Sequence, residues 1–178
     1  MNEVKYTILE GNKLKVENLR NRDIIYRNFS GKPSQYNRNG NLKFTIVIDP
    51  AIAPKLQREG WNVKSRPSKN DDGEEFCTLE VRVRFDLSFA RPKIRQFTRG
   101  GSIVINEHNV GNFDDAEFET ADIVLRQYAW TNPAGESGIS AQLSEMYVRL
   151  NEGVLAEKWG DMGGEDNGLP FDFDEPRQ

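Results

Sequence analysis

The segment VLRQYAW places two aromatic rings and one guanidinium group at alternate positions. In a β-strand, Val124, Arg126, Tyr128 and Trp130 would therefore project from the same face. Flat rings stack on nucleobases, at about 1–3 kcal/mol per base, and a nearby guanidinium can pair with the phosphates. The pattern thus predicts a surface that binds single-stranded nucleic acid. The alternative is that Tyr128 and Trp130 are core residues under a loop; because Trp130 ends the strand, we expect it to be exposed.

Cations on other segments extend this chemistry. Arg82 and Arg84 occupy polar positions of the alternating segment CTLEVRVRF, and Lys93 and Arg95 lie on the segment after it, so all four could line one groove of a small barrel. The loop NFSGKPSQYNRNGNLKF mixes basic residues with a tyrosine, which suits a loop that wraps a strand. Trp61 follows a short helix, and a core role is its alternative. The predicted nucleic-acid-binding residues are Lys32, Tyr36, Arg38, Trp61, Arg82, Arg84, Lys93, Arg95, Arg126, Tyr128 and Trp130.

Catalytic chemistry finds little support among the side chains. His108, the only histidine, has no serine in a nucleophile elbow beside it, and Cys77 occupies a strand-core position. The acids between Asp114 and Glu119 could hold a hard cation, as in a metal-dependent nuclease, but they lack the spacing of a calcium-binding loop. A solvated acidic edge is the preferred interpretation. We therefore expect no enzyme, no metal site and no cofactor.

Charge is divided along the chain rather than spread evenly. The formal net charge is -4, yet residues 20–43 and 82–99 each contain six bases and one acid, for a net +5. Residues 161–178 contain six acids and one base, for a net -5. A basic face and an acidic appendage on one chain suit a polyanionic ligand and a segment that competes with it. The alternative is a solvated surface whose charge is merely uneven.

Alternation with a period of two dominates the chain and predicts a mainly β fold. The predicted strands are KLKVENL, DIIYRNF, LKFTIVID, CTLEVRVRF, PKIRQFT, FETADIVLRQYAW and GISAQLSEMYVRL, separated by Gly, Pro, Asn or Asp. One short helix is predicted over Ala51–Glu59, with Asp49 as its cap and Gly60 as its stop. About five main strands, one short helix and long loops fit the five-stranded barrel of the OB-fold.

The remaining sequence features concern location. No apolar run approaches the roughly 20 residues of a membrane helix. The segment MNEVKYTILEGN lacks the basic-then-apolar order of a signal peptide, and the single cysteine excludes an internal disulfide. We therefore expect a soluble, cytoplasmic protein and no membrane partner.

Several blocks of the sequence resemble a family of bacteriophage and prophage single-stranded-DNA-binding proteins. The blocks are RNFSGKPSQYNRNGNLKFTIVID, GWNVK, ADIVLRQYAW and GISAQLSEMYV, which occur in the expected order within residues 26–161. The resemblance implies an OB-fold and sequence-tolerant binding of single-stranded DNA during phage replication or recombination. It carries over no individual contact residue, so the binding residues named above rest on the strand pattern.

The final segment EDNGLPFDFDEPRQ is acidic and contains two phenylalanines. It resembles the acidic tail of bacterial single-stranded-DNA-binding proteins, which ends in Pro-Phe and docks on partner proteins, although here further residues follow Phe171. We expect residues 1–160 to form the OB-fold domain and residues 161–178 a disordered tail that recruits replication or recombination proteins or shields the DNA groove. The predicted partner-binding residues are Leu169, Pro170, Phe171 and Phe173. The remaining alternative is a β-barrel virion or assembly protein that binds no nucleic acid.

Overall fold

The computed structural model describes residues 3–35, 37–68, 73–88 and 90–151. Tyr36 and the four predicted partner-binding residues lie outside this part of the chain. Within it there are ten strands and one α-helix. The strands are β1 (Lys5–Leu9), β2 (Lys13–Leu19), β3 (Ile24–Asn28), β4 (Leu42–Ile48), β5 (Lys64–Pro67), β6 (Glu75–Val83), β7 (Lys93–Thr98), β8 (Gly101–Ile105), β9 (Phe118–Thr131) and β10 (Ser137–Leu150), and the helix is α1 (Ala53–Arg58).

All ten strands belong to one sheet. Hydrogen-bonded neighbours follow the order β1-β2-β9-β10-β6-β4-β3, while β5 pairs with β6, and β7 lies between β10 and β8. No ladder joins β2 to β3 in the described residues, but a single 3-10 turn at Asn21–Asp23 connects them along the chain. The backbone N–H of Phe118 donates to the side chain of Asn21 at 2.8 Å, which fastens this turn to the start of β9. This short connection therefore keeps β2 and β3 close to each other, and both strands contribute side chains to the same core.

The inner face of the sheet is apolar because its strands alternate. Every second residue of β6 from Cys77 to Val83 is buried, as the pattern of CTLEVRVRF predicts. Aromatic rings fill one part of the core: Phe29 stacks on Phe44 with 4.9 Å between ring centroids and meets Phe113 edge-on at 5.4 Å. The polar residues of the same strands are left on the opposite, outer face.

The short helix α1 begins later than predicted, at Ala53, and its N-cap is Ile52, which makes no side-chain cap hydrogen bond. Asp49 is therefore not the cap; it accepts a hydrogen bond from the backbone N–H of Ala51 at 2.9 Å in the turn before the helix. Pro54 lies in the first turn, where its missing N–H costs nothing. The side chain of Gln127 on β9 donates to the carbonyl of Glu59 at 2.8 Å and ties the C-terminal end of the helix to the sheet. No helix in the described part of the chain is long and apolar enough to cross a membrane.

The mainly β architecture and the single short helix are confirmed. Two features differ from the predicted five-stranded barrel: the described residues form ten strands, and their hydrogen-bonded ladder is not closed. The strands that the sequence did not predict are β1, β5 and β8, each of which carries exposed side chains along most of its length. Strand β5 also begins the polar segment Ser65–Phe76, which has no alternating pattern in the sequence.

Candidate nucleic-acid interface

A continuous row of polar side chains crosses five strands on the outer face. Lys43 of β4 is opposite Arg82 of β6, and Arg82 is opposite Gln142 of β10. Gln142 is in turn opposite Arg126 of β9, which is opposite Lys13 of β2. Directly opposed residues of neighbouring strands share a face, so these five side chains project on the same side. We call them the basic row; it carries four positive charges.

Few acids compete for the charges of the basic row. Arg126 donates from Nη2 to Oε1 of the neutral Gln142 at 2.6 Å, and Lys43 pairs with Glu80 at 3.6 Å. Neither Arg82 nor Lys13 has a carboxylate within 4.0 Å among the described residues. Three of the four cations thus have no carboxylate within salt-bridge distance in the described part of the chain, and the row can attract an extended polyanion.

Arg84 and Tyr128 stand close to each other beside the basic row. Arg84 donates to both oxygens of Asp86, at 3.0 and 2.8 Å. Hydrogen bonding to Asp86 raises the pKa of Arg84, and a smaller contribution in the same direction comes from Tyr128 on β9. Tyr128 is opposite Ser140 and is partly exposed, and its hydroxyl is close enough to contribute a hydrogen bond to Arg84. The predicted pairing of a ring with a guanidinium is therefore present at this position.

Trp130 lies farther along the same strand and is 40% exposed, in keeping with its place at the strand end. It is opposite Gly138 on β10. A Cβ added to Gly138 would lie 2.6 Å from Cζ2 and 2.9 Å from Cε2 of the indole, which shows that the ring covers the glycine. Only a residue without a side chain leaves room for the ring there, so Gly138 fixes the position of Trp130 while part of the indole faces solvent.

Strand β7 extends the outer face on the other side of β10. Lys93 is opposite Glu145, which is opposite Val124 on β9, and Val124 alternates in phase with Arg126. Lys93 and Arg95 are therefore on the same face as the basic row, and both are exposed. The sequence predictions for Arg82, Arg84, Lys93, Arg95, Arg126, Tyr128 and Trp130 thus fall on one surface.

Two rings on this surface were not among the predicted residues. Phe97, 37% exposed, lies 6.2 Å from Tyr147 between ring centroids, in a tilted arrangement. The Tyr147 hydroxyl donates to Glu145 at 2.6 Å, and this hydrogen bond, together with burial, raises the pKa of Tyr147. Strand parity alone could have found Phe97, because it alternates with Arg95. Tyr147 is recognised only from the pairing of β10 with β7, which places it opposite Arg95.

The loop after β3 is held mainly by its own side chains. The Asn28 side chain accepts a hydrogen bond from the backbone N–H of Lys32 at 2.8 Å and donates one to the backbone carbonyl of Lys32 at 2.9 Å. Gly31 has φ +72°, and a Cβ there would lie 2.8 Å from the carbonyl oxygen of Gly40, so glycine is required. Lys32 and Arg38 are both exposed on this loop. The loop therefore offers both predicted cations to solvent from a fixed backbone.

A cleft of about 460 Å³ separates this loop from the end of β6. Ser30 and Asn41 line it on the loop side, and Arg82 and Arg84 line it on the strand side. The Nε atom of Arg82 is buried and has no hydrogen-bond partner within the described residues. The cleft forms a concave end to the basic row, and its lining contains two guanidinium groups together with the carboxylates of Asp86 and Glu107.

The acids considered for a metal-dependent nuclease have structural partners. Asp114 accepts from the backbone N–H groups of Phe29 and Ser30, and from the Ser30 hydroxyl at 2.6 Å. Glu117 accepts from the side chain of Asn151 at 2.6 Å. Within the described part of the chain, no three His, Cys, Asp or Glu side chains come together as a metal site. These acids fasten loops to the sheet, and the solvated-edge interpretation was too simple for Asp114.

The expectation for Trp61 needs correction. Its side chain is only 3% exposed and belongs to the hydrophobic core. The chain turns back directly after α1, where the N–H of Trp61 donates to the carbonyl of Leu56 at 3.0 Å, and this turn directs the indole inward. A base has no ring face to stack on at this position, so Trp61 is removed from the candidate interface.

Comparison with known proteins agrees with this geometry. A family model described as a phage ssDNA-binding domain matches residues 1–175. No curated protein sequence matches the chain. The solved single-stranded DNA-binding protein from bacteriophage Enc34 is similar in structure, with a TM-score of 0.52 and 15% identity over 85% of this chain and 88% of that chain.

Two further structures of the Enc34 protein show the same similarity. Its C-terminal truncation gives a TM-score of 0.53 with 16% identity over 85% of this chain and 93% of that chain. Its complex with ssDNA gives 0.50 with 15% identity over 85% of this chain and 94% of that chain. These structural matches indicate a shared fold, and the family match covers nearly the whole sequence. The chain belongs to the phage ssDNA-binding domain family.

Proposed function

We propose that this protein coats single-stranded DNA in a sequence-tolerant way during phage DNA replication or recombination, and that it acts by binding rather than by catalysis. Family membership supports the class of ligand, and the Enc34 protein, which shares the fold, has been solved with ssDNA. The outer face of the sheet is the proposed site. The single α-helix of the described residues, α1, has six residues and is too short for a typical recognition helix, which suits a ligand recognised through its backbone and its ring faces.

The observation that carries this proposal is the basic row. Lys43, Arg82, Arg126 and Lys13 lie on four strands and are placed side by side by the pairing register. Neighbouring strands are about 4.8 Å apart, so a row across five strands spans about 19 Å, enough for several nucleotides. Phosphates would lie against this row, as a polyanion does in other electrostatic grooves for single strands.

The aromatic residues flank the basic row on the side of the β9–β10 hairpin. Tyr128 and Trp130 follow Arg126 at alternate positions along β9, so both rings lie to one side of a DNA strand that runs along the row. Base stacking on these rings tolerates any sequence because every base has a π-face. Lys93 and Arg95 would contact the DNA beyond β10, and Lys32 and Arg38 would contact it from the loop. Tyr36, which lies outside the described residues, stays a prediction.

The proposed test is a titration with oligo-dT at several salt concentrations, followed by tryptophan fluorescence. We expect quenching that saturates at a fixed number of nucleotides, because Trp130 is partly exposed and would stack on a base. The logarithm of the binding constant should fall with the logarithm of salt by about 0.7 for each phosphate contacted. No quenching and no binding at low salt would overturn the proposal and favour the virion or assembly protein.

The acidic segment 161–178 is proposed to be a separate appendage to a binding domain of residues 1–160. Its net charge of -5 opposes that of the basic row, so it would shield the row until DNA displaces it. Leu169, Pro170, Phe171 and Phe173 would anchor a replication or recombination partner. Deleting residues 161–178 should leave affinity for oligo-dT unchanged or raised, and a large loss of affinity would contradict the shielding role.

The proposal that the protein does not cleave DNA can be tested separately. Asp114 and Glu117 are engaged by backbone and side-chain donors, as described above, which supports binding without cleavage. Labelled single strands incubated with the protein and Mg²⁺ or Mn²⁺ should remain intact. Cleavage that is lost in Asp115→Asn or Glu119→Gln would restore the nuclease alternative.

A further inference from the structure

Tyr26 on the edge strand β3 is the most exposed of the large apolar and aromatic side chains in the described part of the chain, at 68%. Burial is the usual reason for keeping an aromatic ring, because its apolar area is large. Burial in the core cannot explain Tyr26. An exposed ring beside a charged surface is a candidate for contact with a ligand.

The backbone of Tyr26 is also unusual. The register of β3 against β4 shifts between Ile25 and Asn28, so two residues, Tyr26 and Arg27, lie opposite the single residue Phe44. Tyr26 has φ +49°, in the left-handed region that bulky residues rarely occupy. Glycine would adopt this conformation without strain. The chain therefore carries a strained tyrosine at a bulge where glycine would be the more stable choice, and strain of this kind is concentrated at functional sites.

Arg27 maintains the bulge independently of the tyrosine ring. Its guanidinium lies 4.6 Å from the centroid of the Phe118 ring and donates to the carbonyls of Phe113 and Ala116. Burial lowers the pKa of Arg27, which is consistent with an anchor held inside the structure. Because Arg27 supplies these contacts, the ring of Tyr26 is not needed to hold β3 in place.

The bulge is next to the end of the basic row. Asn28 is opposite Lys43, the last cation of the row on β4, and Tyr26 is two residues before Asn28 on the same strand. We infer that Tyr26 is a base-stacking residue that receives a nucleobase of the single strand as the strand leaves the basic row over β3. This inference rests on the proposed function and adds a contact at the β4 end of the row, whereas Tyr128 and Trp130 lie beside the row on β9.

A glycine substitution separates this role from a structural one. Tyr26→Gly removes the ring and relieves the left-handed strain, so its thermal midpoint should be equal to or higher than that of the wild type. Its affinity for oligo-dT should fall by about fivefold or more, the loss expected for one stacked base. Tyr26→Phe keeps the ring and should retain wild-type affinity. A fall in the thermal midpoint of Tyr26→Gly, or unchanged affinity, would overturn the inference.

Photo-crosslinking tests the contact directly. Oligo-dT containing 5-iododeoxyuridine should crosslink to Tyr26. Tyr6 serves as the internal negative control, because its hydroxyl accepts a hydrogen bond from the backbone N–H of Asp49 at 3.0 Å. Crosslinks to other residues without any at Tyr26 would reject the inference and leave the proposed function standing. Failure of the wild-type protein to bind oligo-dT at all would instead reject the proposed function.

Discussion

The indole of Trp130 lies over Gly138, the residue opposite it on the β9–β10 hairpin. The glycine lets the ring settle against the backbone while 40% of the side chain stays exposed. The ring is thereby preorganised, and a base that stacks on it does not have to fix the rotamer of a mobile side chain. Gly138 is thus expected to support binding without touching DNA.

Gly138→Ala should therefore weaken DNA binding although it removes no contact atom. The new Cβ would stand 2.6 Å from the ring, so the indole must move, and affinity for oligo-dT should fall by about fivefold or more, as for Trp130→Ala. A shift of the tryptophan emission maximum would report the displaced ring.

Gly100→Ala is the matched control for this substitution. No atom lies within 4 Å of the Cβ it would add, and Gly100 is also exposed on a hairpin. It should bind oligo-dT like the wild type. Equal affinity of Gly138→Ala and Gly100→Ala would show that the position of the indole is unimportant for binding.

The basic row should be visible in the salt dependence of binding. Arg126→Gln and Lys13→Gln each remove one charge from the row, and each should reduce the slope of log affinity against log salt by about 0.7. The exposed Lys55 on α1 provides the control, because it lies off the row, and Lys55→Gln should leave the slope unchanged. A slope altered equally by all three substitutions would mean that only overall charge matters.

The row itself could not have been derived from the sequence. Alternation places Arg82 and Arg126 on the polar faces of their own strands, but it does not say which strands are neighbours or in which register they pair. Lys13 and Lys43 join the row only because β2 pairs with β9 and β4 pairs with β6. The sequence thus predicted individual binding residues and left their arrangement open.

The other differences have local physical reasons. Strands β5 and β8 are at edges of the sheet and have few buried positions, so they show no alternation to recognise. Trp61 follows Gly60, the residue predicted to end the helix. The neighbouring sequence does not reveal whether the side chain at such a position packs into the core or faces solvent. By contrast, the long strands β6 and β9 bury one face along most of their length, and their alternation was correctly predicted. Strand β10 was predicted as a strand, but its consecutive residues 141–143 are all buried.

Asp114 should prove to be a structural residue. Its carboxylate accepts three hydrogen bonds from Phe29 and Ser30, and bonds to a charged group are each worth about 1.5–3 kcal/mol when removal leaves donors unpaired. Asp114→Ala should lower the free energy of unfolding by about 2 kcal/mol or more. Urea unfolding measures the change.

Glu119→Gln, an exposed substitution from the same acidic segment, is the control for Asp114→Ala. It should leave the free energy of unfolding almost unchanged. Equal stability of the two variants would contradict the structural role of Asp114.

The pair between Arg84 and Asp86 should depend on pH. Hydrogen bonding from Arg84 lowers the pKa of Asp86 in the folded protein. A carboxylate with a lowered pKa contributes stability above its unfolded pKa of about 3.9, and this contribution is lost as pH falls through the folded pKa. The difference in unfolding free energy between wild type and Asp86→Asn should therefore be present at neutral pH and disappear in acid.

The same substitution should strengthen DNA binding at neutral pH. Asp86 competes with phosphate for the guanidinium of Arg84, and a surface ion pair is worth about 0.2–1 kcal/mol, so Asp86→Asn should raise affinity by up to about fivefold. Oligo-dT titrations of both proteins at low salt measure this. Weaker binding by the variant would mean that Asp86 positions Arg84 for DNA instead of competing for it.

The central claim is that DNA crosses the outer face of the sheet along the basic row. Lysine acetylation with and without saturating oligo-dT, read by mass spectrometry, tests it most directly. Lys13, Lys43 and Lys93 should be protected by DNA, and Lys55 on α1 should react equally in both samples. Protection of Lys55 with no protection of Lys13 and Lys43 would contradict the claim.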